Sequence, residues 1–231
     1  MGLAWENTLR YIEDLKGVKE LAKRNALELA SKLRISPEEA RIRIGPRNYI
    51  LLSVESLAGL AERASAILGG ATAKEVLYYL GESLGRAEAG FVFSTYGLED
   101  EVMQCWERCL HAPYFLAAGG VARVEILLFD AEMKEGLLAL CETRDSVLAE
   151  ELARAGVEPP TCSLISGYLA GWLGEATGAK LAAREILCRA SGDPVCRFVV
   201  GKPKRLYELL KREDLRKPSE DYGEVKLEFE W

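Results

Sequence analysis

The chain has 231 residues, of which 49% are hydrophobic and 29% charged, and its formal net charge is −6 at pH 7. This profile predicts a globular protein with a sizeable core. The acidic balance argues against a nucleic-acid-binding surface, which needs clustered basic residues. No apolar run reaches the roughly 18 residues of a membrane helix, and the charged N-terminus differs from a secretory signal. We therefore expect a cytoplasmic protein without a membrane segment or a direct nucleic-acid contact.

The N-terminal half of the chain is predicted to be mostly helical. Apolar residues recur at helical spacing over residues 6–33 with a break near Gly17, which predicts one or two amphipathic helices that form an arm. Residues 40–53 carry β-branched and aromatic residues around Gly45-Pro46 and predict a short hairpin. Three further helices are predicted, at residues 54–68, from residue 72 to about 91, and at residues 99–110.

In the C-terminal half, strand and helix patterns alternate. Extended, β-rich stretches are predicted at residues 121–130, 137–142, 180–189 and 195–201, and at the final EVKLEFEW. Helices are predicted from Thr161 to about Ala176 and over Lys204–Arg212. The stretch Val147–Ala155 has helical residues but stands between strands, so its state stays open. The fold class that follows is α+β, with an antiparallel sheet packed against helices and an N-terminal helical arm.

Glu185, Cys188 and Cys196 stand close together in the text REILCRASGDPVCRF. If residues 180–189 form a strand, Glu185 and Cys188 face opposite sides unless the strand twists or bulges at its end. The turn through Gly192 returns Cys196 to a place beside Cys188. Cysteines in a chain without an export signal are expected to be reduced, which favours a metal site over a disulfide.

A tetrahedral zinc site needs a fourth donor, for which Cys162 is the nearest candidate. It begins a predicted helix, where unpaired N–H groups and the helix dipole favour the thiolate. Three thiolates and a carboxylate fill the coordination shell, so such a site stabilises structure and holds no activated water. The alternative is that the cysteines are small core residues and Glu185 is a surface acid.

The segment PTCSLISGYLAGWLGEATGAKLAAREILCRASGDPVCRFVVGKP resembles the 4-vinyl-reductase-like domain, which occurs as the sensor region of phenol- and xylene-responsive activators and shares its fold with TRAPP subunits. The matching elements are Pro160-x-Cys162, Gly167-Tyr168, Glu185-x-x-Cys188, Gly192, Cys196-Arg197 and Gly201-Lys202-Pro203. The resemblance carries the four structural zinc ligands of the sensor branch onto Cys162, Glu185, Cys188 and Cys196. It also implies a homodimer and an apolar pocket above the zinc-clamped hairpin.

The resemblance further implies where a ligand would bind. In the phenol-sensing branch a His and a Trp hold the ligand hydroxyl; here His111 falls near the first position and Cys141 takes the place of the Trp. Without that Trp, we expect an apolar or aromatic ligand rather than a phenol. Tyr168 and Trp172 on the helix after Cys162, and Tyr79 on the long middle helix, are the further candidates for the pocket wall; an aromatic stripe of this kind also suits an ordinary core.

The resemblance divides the chain into an N-terminal helical arm (1–39), the ligand-binding domain (40–203) and a C-terminal helix and tail (204–231). The expected function is a zinc-containing sensor that signals through a dimer or a partner protein. No nucleophile elbow, phosphate loop or dinucleotide fingerprint is present, so no reaction is assigned. Two alternatives stay open: a tetrapyrrole-handling protein, which could use Cys105, Cys109 and His111 as a second site, and an assembly subunit that binds no ligand.

Overall fold

The computed structural model describes residues 3–99, 105–130, 132, 133, 135–156 and 162–218, with side chains from residue 17 onward. The helices are α1 (Leu3–Ser31), α2 (Val54–Leu68), α3 (Gly70–Tyr96), α4 (Cys105–Cys109), α5 (His111–Ala118), α6 (Val147–Arg154), α7 (Ser163–Thr177) and α8 (Pro203–Leu209). The strands are β1 (Leu33–Ser36), β2 (Arg41–Ile44), β3 (Arg47–Tyr49), β4 (Ala122–Phe129), β5 (Leu137–Ser146), β6 (Ala182–Leu187) and β7 (Cys196–Gly201). Short 3₁₀ turns occupy Pro37–Glu39, Arg189–Ser191 and Glu213–Arg216.

A four-stranded sheet in the order β4-β5-β7-β6, antiparallel throughout, forms the centre of the fold. Side chains alternate across its two faces. The inner face, with Cys141 and Phe198 paired on neighbouring strands, belongs to the main core under α3, α5 and α7. The outer face, with Leu140 and Val199, packs under α8 and the last 3₁₀ turn in a smaller core. The predicted α+β class is confirmed.

The helices α3 and α7 cross with their backbones in direct contact. Gly81 and Gly85 on α3 meet Gly167 and Gly171 on α7, and these four residues form what we call the glycine seam. A Cβ atom on Gly167 would lie 1.9 Å from the carbonyl oxygen of Tyr78, and one on Gly81 would lie 2.1 Å from that of Leu164. Side chains are therefore excluded at this crossing, which packs the long middle helix against the helix that follows Cys162.

Several details of the fold differ from the sequence prediction. The helix α1 runs through Gly17 without a break, since a helical glycine costs only about 1 kcal/mol and no neighbour lies within 4 Å of its Cβ position. The stretch after β5 is the helix α6, whose first turn is capped by Ser146 Oγ accepting from Ala149 N at 3.1 Å.

The predicted hairpin at residues 40–53 is present as β2 and β3 and extends to a three-stranded sheet with β1. Of the helix predicted over residues 99–110, only Cys105–Cys109 lies in a described helix, and the EVKLEFEW segment lies outside the described residues. Within the described part of the chain, no helix has the length and apolar character that crossing a membrane requires.

Candidate metal centre and the protein interior

The four predicted metal ligands converge on one point. Cys162, Glu185, Cys188 and Cys196 each bring one ligand atom within 4.8 Å of the other three. The Sγ atoms of Cys162 and Cys196 are 3.7 Å apart, and all three cysteines are buried. No other group of three or more His, Cys, Asp or Glu side chains comes together in this way among the described residues.

An irregularity at the end of β6 makes this convergence possible. Glu185 pairs with Phe198, but Leu187 pairs with Arg197, so the register shifts between these two positions. A regular strand would place Glu185 and Cys188 on opposite faces because their separation is odd. The shift turns Cys188 to the side of Glu185, and the bulge that the metal prediction required is therefore present.

Backbone hydrogen bonds hold the loop that joins Cys188 to Cys196. Cys188 N donates to Asp193 Oδ2 at 2.7 Å, and Cys188 O accepts from Ser191 N at 2.9 Å. Gly192 has φ +98°, a conformation that glycine adopts without strain. Arg189 N donates to Cys196 Sγ at 3.3 Å. The loop thus presents both sulfur atoms and supplies one of them with an N–H partner, as outer-shell groups do around bound metals.

Cys162 lies directly before α7, and its own N–H donates to Glu185 Oε2 at 2.8 Å. Hydrogen bonds with the thiols of Cys188 and Cys196, together with burial, raise its pKa. The helix terminus therefore does not make it a thiolate by itself, contrary to our expectation. The pKa of Cys188 is lowered instead, because it accepts from the Cys162 and Cys196 thiols.

Burial raises the pKa of Glu185 to about 8. Four acidic groups this close cannot all lose their protons without a cation between them. In addition, Glu185 Oε1 is buried and has no hydrogen-bond partner in the described structure. A divalent ion would give that oxygen a partner and would replace the shared protons. Three sulfurs and one oxygen at this spacing fit a tetrahedral zinc better than a hard cation such as Mg²⁺ or Ca²⁺.

His111 is fully buried on α5, and both of its ring nitrogens have partners. Its Nε2 is 3.3 Å from Asn25 Nδ2, and its Nδ1 is 3.0 Å from the carbonyl oxygen of Glu107. The carbonyl can only accept, so Nδ1 carries the proton and Nε2 accepts from the Asn25 amide. Burial lowers the pKa of His111 to about 4, which keeps the ring neutral. His111 therefore joins α1 to α5 in this conformation.

The other predicted pocket residues separate into an interior set and an exposed one. Tyr168 and Trp172 are buried with ring centroids 5.8 Å apart, and Phe115 lies 5.2 Å from Trp172. Cys141 is fully buried on the inner face of β5. Tyr79, by contrast, is 61% exposed on α3 and does not face the interior. The structure thus brings Tyr168 and Trp172 together and leaves Tyr79 apart.

Two polar residues in this interior were missed at the level of sequence. Tyr168 Oη donates to Glu88 Oε2 on α3, and burial raises the pKa of Glu88. Asn25, the partner of His111, stands on α1 between the buried residues Ala22 and Ala26. A single amide within an apolar helix face is a signal that could have identified Asn25. Nothing in the sequence around Glu88 indicates its partner on a distant helix.

An apolar cavity lies between α2, α3, α6 and α7. Its volume is about 10 Å³, room for about one water molecule, whereas a benzene-sized ligand takes a cavity on the order of 150 Å³. None of the five predicted pocket residues lines it. The lining residues are Leu57, Ala61, Leu77, Leu148, Leu152 and Leu164.

The fold and the cysteine cluster together define a class. Residues 143–202 match the model of the vinyl-4-reductase domain, and all four candidate ligands lie within that span. The chain thus carries a vinyl-4-reductase domain, and the resemblance to the 4-vinyl-reductase-like family is confirmed.

Two known proteins extend the comparison. The transcriptional regulatory protein XylR of Pseudomonas putida is 25% identical over 180 residues, which cover 76% of this chain and 31% of XylR. The chain thus spans about a third of that regulator's length. The crystal structure of the phenol-responsive sensory domain of the transcription activator PoxR, with phenol, superposes with a TM-score of 0.67 at 23% identity. It covers 84% of this chain and 96% of the PoxR domain. The fold is that of this sensory domain.

Proposed function

We propose that this chain is a regulatory domain with a structural zinc ion, which binds an apolar or aromatic small molecule and passes its occupancy to a dimer or a partner protein. The observation that supports it most is the four-residue cluster, with ligand atoms within 4.8 Å of one another inside a vinyl-4-reductase domain. The likeness to XylR and to the phenol-responsive domain of PoxR supports the sensory role.

In this proposal Cys162, Glu185, Cys188 and Cys196 hold the zinc. When bound, the ion supplies a fixed tetrahedral junction and no reactive water, because four protein ligands leave no open position. The ligands come from α7 and from both strands of the β6–β7 hairpin. The junction therefore fastens the hairpin to the start of α7, the helix that also carries Tyr168 and Trp172.

The ligand would enter the aromatic interior around Trp172. Phe93, Phe115 and Tyr168 each lie with ring centroids 5.2–5.8 Å from Trp172, and Cys141 leaves the sheet beneath with a small apolar side chain. His111 is engaged by Asn25, so a ligand must either displace that amide or make only apolar contacts. Binding then requires repacking, which selects a minor open state.

The proposal keeps the division into a helical arm (1–39), a ligand-binding domain (40–203) and a C-terminal helix and tail (204–231). In this arrangement β1 of the arm pairs with β2 of the domain. We place the protein in the cytoplasm as a homodimer, where a reducing environment keeps the three thiols available for zinc.

Native mass spectrometry of the purified chain, followed by thermal unfolding with added benzene or phenol, tests the proposal. We expect one zinc per chain, a dimer, and a melting temperature that rises with benzene more than with phenol. Zinc at one per chain with no shift for either compound would contradict the aromatic ligand. The absence of bound zinc from protein purified without chelators would contradict the metal centre.

A second candidate, an assembly subunit without a ligand, is favoured by a specific observation. Four large apolar side chains are exposed along one stripe of α3, and the apolar cavity has a volume of only about 10 Å³. Stripes of this kind often mark protein–protein contacts. The stripe consists of Val76, Tyr79, Leu80 and Leu84. A zinc-loaded dimer that retains no small molecule and responds to none of the added aromatics would favour this candidate.

A further inference from the structure

The outer face of the β6–β7 hairpin holds the last described segment of the chain. We call residues 213–217 the strap. The Arg197 guanidinium donates from Nη1 to the carbonyl oxygens of Lys217 at 2.6 Å and Leu215 at 3.3 Å. Arg216 Nη1 donates to the carbonyl oxygen of Ile186 at 2.5 Å. Leu215 is fully buried in the outer core. The strap is thus attached to both strands of the hairpin.

Each attachment point directly follows a candidate metal ligand. Ile186 follows Glu185 on β6, and Arg197 follows Cys196 on β7. Neighbouring side chains in a strand point to opposite faces. One face of the hairpin therefore presents Glu185 and Cys196 to the cluster, and the opposite face presents Arg197 to the strap.

The Arg197 side chain has little freedom to move independently of the hairpin. It is 2% exposed, and its Nε donates to Glu142 Oε2 on β5 at 3.0 Å, with a second, shorter contact from Nη2. Breaking a buried ion pair of this kind leaves an uncompensated charge, so the pair holds the guanidinium in one orientation. The strap carbonyls can bind it only while β7 keeps its place beside β5.

We propose that the strap is a metal-dependent latch: closing of the Cys162–Glu185–Cys188–Cys196 cluster around a divalent ion orders the hairpin, and the ordered hairpin binds residues 213–217 on its other face. The inference rests on the proposed metal centre. Loss of the ion returns the irregular end of β6 to four mutually repelling or protonated groups, and the carbonyl of Ile186 shifts with it. The position at which the chain continues beyond residue 218 then depends on the metal.

Coupling between two sites is reciprocal, so the strap must also strengthen metal binding. Arg216 is exposed, and its replacement removes one attachment without disturbing the core. Lys211 offers a matched control: it is an exposed basic residue two positions before the strap, and its Nζ lies over the Tyr207 ring at 4.0 Å from the ring centroid.

Limited trypsin digestion of the full chain, with and without a zinc chelator, measures the latch directly. Cleavage after Arg216 requires its side chain to leave the Ile186 carbonyl. We expect it to accelerate about tenfold when zinc is removed, as loss of one or two hydrogen bonds predicts. Cleavage after Lys32, which pairs with Glu28 on α1, serves as the internal reference and should not change.

Competition with a chromophoric chelator gives the reciprocal measurement. Arg216→Gln should weaken zinc binding about fivefold, the lower end of ordinary coupling, and Lys211→Gln should leave it unchanged. Stoichiometric zinc with equal cleavage rates and equal affinities would overturn the latch and leave the metal centre standing. A parallel rise at Arg216 and Lys32 would mean global unfolding and would also overturn it. A chain that binds no zinc would overturn the metal centre and the latch together.

Discussion

The helix α7 is held at two places by opposite means. At its first turn, Cys162 joins a cluster with Glu185, Cys188 and Cys196, whose side chains carry the chemistry. In its middle, Gly167 and Gly171 meet α3 through the lack of side chains, with Cβ positions only 1.9 and 2.1 Å from backbone oxygens. The cluster is recognisable from residue type and spacing, whereas the seam depends on which helix lies opposite.

The difference has a consequence for stability. A metal centre adds free energy that depends on the concentration of the ion, while the glycine seam contributes at all times and depends only on packing. Removing the ion should therefore leave α3 and α7 together while it loosens the hairpin. A side chain inserted into the seam should separate the two helices whether or not zinc is bound.

The largest effect is expected from removal of the metal. At a zinc concentration about a thousandfold above the dissociation constant, the ion stabilises the fold by about 4 kcal/mol, and a chelator should abolish this contribution. Cys188→Ser should lose both the zinc and the response to the chelator. Urea unfolding, together with metal analysis of each protein, measures both.

Cys105→Ser is the matched control, since Cys105 lies on α4 outside the cluster and is only partly buried. It should keep one zinc per chain and the full response to the chelator. If Cys188→Ser and wild-type protein unfold alike with zinc present, the cluster does not stabilise the fold.

The next effect concerns the seam. Gly167→Ala should cost about 3 kcal/mol, at the upper end for overpacking, because the backbone oxygen of Tyr78 cannot move aside as a flexible side chain would. The loss should be the same with and without zinc in urea unfolding. Gly59→Ala on α2 has no neighbour within 4 Å and should instead stabilise by about 0.5–1 kcal/mol. Equal effects of the two substitutions would refute the close contact.

The smallest effect tests a chemically distinctive residue that joins helices without a metal. The pKa of His111 is about 4 in the folded protein and 6.5 ordinarily, so the unfolded chain binds its proton first as the pH falls. Stability from this group is present above pH 6.5 and is lost between pH 6.5 and 4. We expect a loss of about 1.4 kcal/mol between pH 8 and 5.5.

His111→Gln isolates this contribution, since all other titrating groups are shared with the wild type. The difference in unfolding free energy between the two proteins, measured across the same pH range, should therefore contain the loss. A difference that does not change with pH would mean that the imidazole is accessible to water and not held by Asn25.

The local elements were largely predictable, and the reasons are physical. Helical spacing and the cap at Ser53 predict α2, where Ser53 Oγ accepts from Ser56 N at 3.2 Å. The paired strands β6 and β7 follow from the turn through Gly192, whose φ is +98°. Gly17 was misjudged because an isolated glycine weakens a helix without ending it. The state of residues 147–155 could not be decided, since a short amphipathic stretch fits either structure.

The interior was less predictable because its contacts join distant positions. Tyr168 and Glu88 are 80 residues apart, and His111 and Asn25 are 86 apart. Neither pair follows from a periodic pattern. Tyr79 shows the same limit: its helix was predicted, but the face it occupies depends on α7 taking the glycine side of α3, which leaves Tyr79 exposed.

By itself, the sequence determined the α+β class, the resemblance to the 4-vinyl-reductase-like family and the identity of the four candidate ligands, since these depend on residue type and short spacing. Only the tertiary structure decided that a register shift in β6 turns Glu185 and Cys188 to one side, that glycines join α3 to α7, and that Arg197 binds the strap. These features arise where two elements meet, and each element's own sequence carries no record of its neighbour.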